Sequence, residues 1–240
     1  MKSSNPAVGL AAVAALAALV VPVQAQDYPA RPIRIVLPFS PGGGTDLLAR
    51  LLSKRFYEAF GQTATVDNRP GAGGNLGADI VAKSAPDGYT LLMSTASLAV
   101  NVTLYSKLPY DLRRDFIPIT QVASAPLVVT VHPSVPARSV KEFVALAKKT
   151  RSGLNFGSNG TGTTSHLALV MMAPKGTPAS VIAKLDAEFK KALAAPDVRA
   201  RLATQSADVV ATGTREFSEM IKRDTARWVE VVKVANIKIE

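Results

Sequence analysis

Pro38-Phe39-Ser40-Pro41-Gly42-Gly43-Gly44-Thr45-Asp46 decides how this chain is read. Before it, Ile33-Arg34-Ile35-Val36-Leu37 is a short β-branched run closed by proline, the mark of a strand. After it, Leu47, Leu48, Leu51, Leu52, Phe56 and Phe60 recur on one helical face. A helix is therefore expected from Leu47, capped by Thr45 or Asp46 and ended by a left-handed Gly61. Three consecutive glycines remove every Cβ from the turn, so a ligand can reach backbone N–H groups that lack an acceptor inside the helix. Such a helix start favours negative charge by about 0.3–1 kcal/mol from the dipole alone. The stretch reads as a cradle for a carboxylate.

Downstream, the alternation of strand and helix continues. Thr63 to Val66 is a second expected strand, followed by the glycine-rich bend Asn68-Arg69-Pro70-Gly71-Ala72-Gly73-Gly74 and a helix from Leu76 to Ser84 with Asn75 as its cap. Pro86-Asp87-Gly88 is a turn, and Tyr89-Thr90-Leu91-Leu92-Met93 a third, buried strand. Strand, helix, strand, helix, strand is the pattern of a parallel α/β sheet with right-handed crossovers. Ligands on such sheets lie beyond the carboxyl ends of the strands. Ser94-Thr95-Ala96-Ser97 ends the third strand and is expected on the same edge as Gly42–Gly44, so that two polar turns converge there.

Upstream, residues 1–25 read as a cleaved secretory leader: Lys2, an Ala/Leu/Val core from Val8 to Val21, then Val23-Gln24-Ala25. That core falls short of the roughly 20 apolar residues that cross a bilayer. The expectation is an exported, periplasmic protein. Removing the leader leaves 215 of the 240 residues and takes the net charge from +10 to +9. The basic residues are scattered through helices, with no interleaved aromatics and no recognition motif, which argues against nucleic acid as a partner. With no cysteine there is neither a disulfide framework nor a thiolate metal site.

The second half carries expected strands at Asp115–Ile119 and Leu127–Val131, then a helix capped by Ser139 with Glu142 three residues on. A strand at Leu154-Asn155-Phe156 opens into Gly157-Ser158-Asn159-Gly160-Thr161-Gly162-Thr163-Thr164-Ser165-His166, a second polar cradle, after which Leu167-Ala168-Leu169-Val170 is expected to start a helix. The tail is helical: Pro178 to Ala194, Pro196 to Ala203, and an amphipathic run from Thr214 through Trp228 to Val232. A short strand is expected at Ala207 to Val210.

Other chemistries fit poorly. Gly42-Gly43-Gly44-Thr45 lacks the Lys-Ser/Thr ending of a nucleotide phosphate loop. Ser165 and His166 are the residues a serine hydrolase reading would use, but adjacent residues seldom bring nucleophile and base together, and no G-x-S-x-G is present. No HxxxH or carboxylate cluster suggests a metal, and no cofactor is called for. Asp46 has two candidate jobs, capping the helix or accepting from a ligand ammonium or hydroxyl.

The blocks at Pro38–Asp46 and Asn68–Gly74, with Ala85-Pro86-Asp87-Gly88-Tyr89-Thr90-Leu91 and Ser158–Leu167, resemble the signature blocks of the Bug family. These are TctC-like solute receptors of tripartite tricarboxylate transporters. The resemblance implies a two-lobed periplasmic-binding-protein fold of type II built on parallel sheets. It also implies a small carboxylate ligand, transporter membrane components as partners, a monomer, and no enzymatic activity. It implies that Phe39, Ser40, Gly42, Gly43, Gly44, Thr45 and Asp46 hold the ligand from the first lobe. Ser158, Asn159, Gly162, Thr163 and Ser165 meet it from the second, and Ser94 and Ser97 line the cleft. In the family a long piece of the second lobe follows the Ser-His-Leu block; here Leu169-Val170-Met171-Met172-Ala173-Pro174 follows almost at once. The expectation is an internal deletion, with lobe 1 at 26–122 plus 173–240 and a truncated lobe 2 at 123–172. A half-built lid exposes a strand edge and weakens capture, down to a remnant that binds nothing.

Overall fold

The computed structural model describes residues 28–125, 130–150, 167–204 and 207–234. The chain divides into two units, Met1–Ala30 and Arg31–Glu240. Only residues 28–30 of the first are described, and every described strand and helix belongs to the second.

The frame of the second unit is a six-stranded sheet. In chain order the strands are β1 (Ile33–Leu37), β2 (Ala64–Asn68), β3 (Thr90–Ser94), β4 (Phe116–Ala125), β5 (Leu167–Pro174) and β6 (Asp208–Val209), arranged in space as β2-β1-β3-β5-β4-β6. The parallel pairing expected for the first hundred residues holds: β1 lies parallel to β2 (Ile35 opposite Val66) and to β3 (Ile35 opposite Leu91). Beyond β3 the sheet turns antiparallel, with Ser94 opposite Val170 and Phe116 opposite Pro174, so the sheet is mixed. Two register shifts interrupt the β4–β5 ladder, between Pro118 and Thr120 and between Gln121 and Ala123. A proline inside a paired strand removes a donor, and a bulge beside it accommodates the loss.

The helices are α1 (Gly44–Phe60), α2 (Asn75–Ala82), α3 (Ser97–Leu104), α4 (Val140–Lys149), α5 (Ala179–Ala194), α6 (Pro196–Ala203) and α7 (Thr214–Val234), and both faces of the sheet are covered by helices other than α4, which buries no residue. On one face Phe56 of α1 stacks on Phe189 of α5, ring centroids 4.8 Å apart, and both rings are buried. On the other, Ala78, Leu98, Phe217 and Ile221 from α2, α3 and α7 close over Val36, Leu92 and Met172. Strand residues of opposite parity feed the two cores, as the pleat requires. Among the described residues no helix is long and apolar enough to cross a membrane.

Several local expectations are corrected. Helix α1 begins at Gly44, not Leu47, and its cap is Gly43 rather than Thr45 or Asp46. Helix α2 is capped by Gly74 rather than Asn75, whose side chain is buried and engaged elsewhere. Glycine caps lack a side chain, so these helix starts are left to backbone geometry and ligands. Leu167–Val170, expected to open a helix, belongs to β5: the run is apolar throughout and pairs with β4, and from Val170 onward with β3 as well. The strand expected at Asp115–Ile119 continues to Ala125; of Leu127–Val131, residues 127–129 lie outside the described residues, and Thr130 and Val131 are not in a strand. Helix α3 adds to the expected elements, since its polar start reads as loop. The Ser139 cap is as expected: Glu142 N–H donates to its Oγ at 3.2 Å. The Glu142 carboxylate reaches back to Arg138 N–H at 2.8 Å, and α4 leaves Val140 and Val144 in solvent.

Candidate functional site

The site is built where β1, β2 and β3 end together. After Leu37 the chain enters the glycine turn, where Gly42 takes φ +88, a backbone few other residues adopt, while Gly43 is extended at φ −76, ψ 170. The first bond inside α1 runs from Leu47 N–H to Gly43 O at 3.0 Å. The N–H groups of Gly44, Thr45 and Asp46 precede it and have no acceptor within the helix. Gly42, Gly43 and Gly44 are exposed, as is Ser40, whereas Phe39 is half-buried and Thr45 buried. The Leu47 side chain is 37% exposed.

Asp46, 3% exposed, organises this turn from beneath. Its Oδ2 accepts from Gly42 N–H at 3.1 Å and from Arg50 Nε at 2.9 Å. Its Oδ1 accepts from Arg50 at 3.1 Å and from Asn68 Nδ2 at 3.0 Å. A carboxylate offers about four acceptor positions, so all are taken within the chain. The Arg50 hydrogen bonds hold the Asp46 carboxyl down at about 2, aided by Gly42 N–H and Asn68 against a smaller cost of burial. Its negative charge, which alone would repel an incoming acid, is offset by Arg50.

Asparagine side chains stitch the three strand ends together. Asn68, the last residue of β2, also donates to Phe39 O at 3.1 Å. Asn75 Oδ1 accepts from Asn101 Nδ2 at 2.9 Å and from the Tyr110 hydroxyl at 2.7 Å, and Asn101 donates to Gly73 O at 2.9 Å. Burial raises the pKa of the Tyr110 phenol, keeping it a donor. Gly74 and Gly77 allow close approach: a Cβ on Gly74 would meet Pro38 Cβ at 3.6 Å and Leu98 at 3.8 Å, and one on Gly77 would sit 2.8 Å from Pro38 Cβ.

On the same edge, Ser94 closes β3 and Ser97 opens α3, both fully buried. The Thr95 and Ser97 hydroxyls are 2.7 Å apart and Ser97 N–H donates to Thr95 Oγ1 at 3.3 Å. Ser94 Oγ and Asn101 Oδ1 are buried without a partner among the described residues. The structure thus brings the Phe39–Asp46 turn and the Ser94–Ser97 turn to one edge. Ser158, Asn159, Gly162, Thr163 and Ser165, with His166, lie outside the described residues. The sequence reading misses Arg50, Asn68 and Asn101; Arg50 lies four residues after Asp46, the helical pairing distance, and is the one available signal.

Amides without a helical acceptor thus stand at the edge of an α/β sheet, where the ligands of such sheets are bound. The family model "Tripartite tricarboxylate transporter family receptor" matches residues 48–172 and 168–237, and the chain belongs to that family. Protein BugT of Bordetella pertussis is 42% identical over 155 residues, covering 64% of this chain and 48% of that protein. The chain thus spans about half the length of such a relative. A protein encoded between tcbD and tcbE in Pseudomonas sp. strain P51 is 28% identical over 290 positions, with 85% of this chain and 86% of that protein inside the alignment. That alignment is longer than the 240-residue chain, and 85% of the chain is about 204 residues, so about 86 positions of the relative have no counterpart here. The two stretches of the family model share residues 168–172. Among solved structures, R. palustris Rpa4515 with adipate superposes with a TM-score of 0.79 at 23% identity, covering 89% of this chain and all of that one. MatC of Rhodopseudomonas palustris with bound malate gives 0.69 at 23% identity, covering 85% of this chain and all of that one. Both are likenesses of fold.

Proposed function

We propose that this chain is a periplasmic receptor that captures a small organic carboxylate at the start of α1 and presents it to the membrane components of a tripartite tricarboxylate transporter. The observation that carries this is the row of amides at Gly44, Thr45 and Asp46 ahead of the first helical bond, braced by Asp46, Arg50 and Asn68. Adipate and malate in the fold neighbours, and the family description, support a carboxylate as the ligand. Under this proposal Phe39, Ser40, Gly42, Gly43 and Gly44 hold the ligand with Ser94 and Ser97 beside them, and Ser158, Asn159, Gly162, Thr163 and Ser165 are its further partners. In this reading residues 1–25 are a leader removed on export. Lobe 1 comprises 26–122 with 173–240, lobe 2 is reduced to 123–172, and the receptor works as a monomer without enzymatic activity.

A one-sided grip has a calculable strength. Three charge-assisted amide bonds at about 1.5 kcal/mol each, with about 0.5 kcal/mol from the helix dipole, give roughly 5 kcal/mol before the cost of immobilising the ligand. That figure alone corresponds to about 0.2 mM, and the cost of immobilisation moves the expected dissociation constant to millimolar or weaker. Calorimetry against adipate, malate and citrate tests it, with Gly43→Val as the control. Gly43 has an ordinary backbone and its Cβ would meet nothing nearer than Thr45 Oγ1 at 3.9 Å, so valine blocks the approach and leaves the fold in place. Millimolar capture lost in Gly43→Val is the expected result. Capture unchanged in that variant refutes the site, and sub-micromolar affinity refutes the one-sided grip.

A further inference from the structure

The edge of the sheet opposite the glycine turn holds a second built feature. Because β5 runs antiparallel to β3, its last residue Pro174, paired with Phe116 at the start of β4, lies at the end of the sheet remote from Ser94. There a cleft of about 310 Å³ opens between the β4 entry, the Lys175–Gly176 turn and the first two turns of α7. Its floor is apolar: Leu112, Phe116, Ile117, Pro118 and Ile221. Its walls carry Arg113, Lys175 and Lys222 together with the Thr214 and Ser218 hydroxyls, and no acid.

Each cation hangs from a fixed piece of backbone. Arg113 follows an aspartate turn in which Asp111 Oδ1 accepts the N–H groups of Arg113 and Arg114, both at 2.9 Å. Lys175 N–H donates to Asp115 O at 2.9 Å, and the turn beyond it is locked by Thr177 Oγ1 donating to Pro174 O at 2.8 Å. Gly176 takes φ +95 in that turn and packs so tightly on Pro86 that a Cβ would meet it at 3.3 Å. Thr214, Ser218 and Lys222 follow at helical spacing along one face of α7, whose start is held by Thr214 Oγ1 donating to Ile119 O at 3.3 Å. Of the neighbouring acids, Asp115 is spent on Arg114 and on Asp111 N–H, while Glu219 pairs with Lys222 at 2.7 Å on the exposed rim and offsets part of its charge.

Arg113 and Lys175, with Lys222 shared with Glu219, give the apolar cleft a net positive potential that an anion relieves, and 310 Å³ is the lower end of the range that small ligands occupy. We infer that this cleft is a second ligand site, taking a small organic anion whose carboxylate or phosphate head meets Arg113, Lys175 and Lys222 while an apolar body lies on Phe116 and Pro118. It is separate from the glycine turn and does not depend on the receptor reading.

The test uses the full chain and ligand-observed fluorine NMR with 4-fluorobenzoate as probe. Saturable binding is expected in wild type. It should weaken about tenfold in Lys175→Glu/Lys222→Glu and several-fold in the milder Lys175→Gln/Lys222→Gln, and fade as salt rises to about 0.3 M. Gly43→Val leaves it unchanged, which separates this cleft from the proposed carboxylate turn. The neutral 4-fluorobenzyl alcohol is expected not to bind. Equal affinity in the glutamine variant, loss in Gly43→Val, or equal binding of the alcohol overturns the assignment. Inorganic phosphate competing as well as the probe overturns the need for an apolar body.

Discussion

Replacing Asp46 by asparagine removes the charge beneath the glycine turn while keeping the shape of the side chain. In the folded chain this carboxyl titrates at about 2 instead of the ordinary 3.8. At about 1.4 kcal/mol per tenfold, the difference sets an upper bound near 2.5 kcal/mol. The Arg50 side chain is 53% exposed, and water screening brings the expected contribution to about 1–1.5 kcal/mol. Because the folded pKa is depressed, the stabilisation is complete above pH 3.8 and is lost as pH falls through about 2. Urea melts of wild type and Asp46→Asn should therefore differ by about 1–1.5 kcal/mol at neutral pH, with the difference shrinking between pH 4 and pH 2. The loosened turn should also lose its acid capture in calorimetry. A stability difference that stays constant down to pH 2, or none at pH 7, would refute the account of Asp46 as the charged brace of this loop.

Gly77→Ala pushes a methyl to 2.8 Å from Pro38 Cβ and 3.2 Å from its Cα; a loss of about 1–3 kcal/mol in chemical denaturation is expected, with a matching fall in acid affinity. Phe189→Ala empties the buried contact with Phe56 between α1 and α5 and should cost about 3–5 kcal/mol by the same assay. Tyr110→Phe removes the hydroxyl bond to Asn75, for about 1 kcal/mol. Since burial raises the Tyr110 pKa, the variant should also leave the phenolate absorbance at about pH 11 unchanged.

The parts legible from sequence are those with a local cause. The β1 run, the glycine turn and the apolar face of α1 can be read because strand closure by Pro38, absent Cβ atoms and helical spacing are all short-range signals. The cap is harder to place because three glycines offer no side chain by which to choose a start, and the geometry selects Gly43. Leu167–Val170 misleads because a short apolar run serves a helix and a paired strand equally well; only partners distant in sequence, β3 and β4, settle it. The asparagine stitching is invisible for the same reason. Asn75 and Asn101 are 26 residues apart, and each looks like an ordinary cap or loop residue until Tyr110 joins them. Ser94 and Ser97 can be placed at the strand edge because the βα alternation fixes which ends share an edge.

Leu47 stands one residue past Asp46 and is a little over a third exposed, and the chain carries no cysteine anywhere. A single thiol introduced there accepts one fluorophore without a competing attachment point, close beside the glycine turn. Under the proposed function, a change in brightness on titration with malate is the expected signal, and the protein becomes a chassis for an optical reporter.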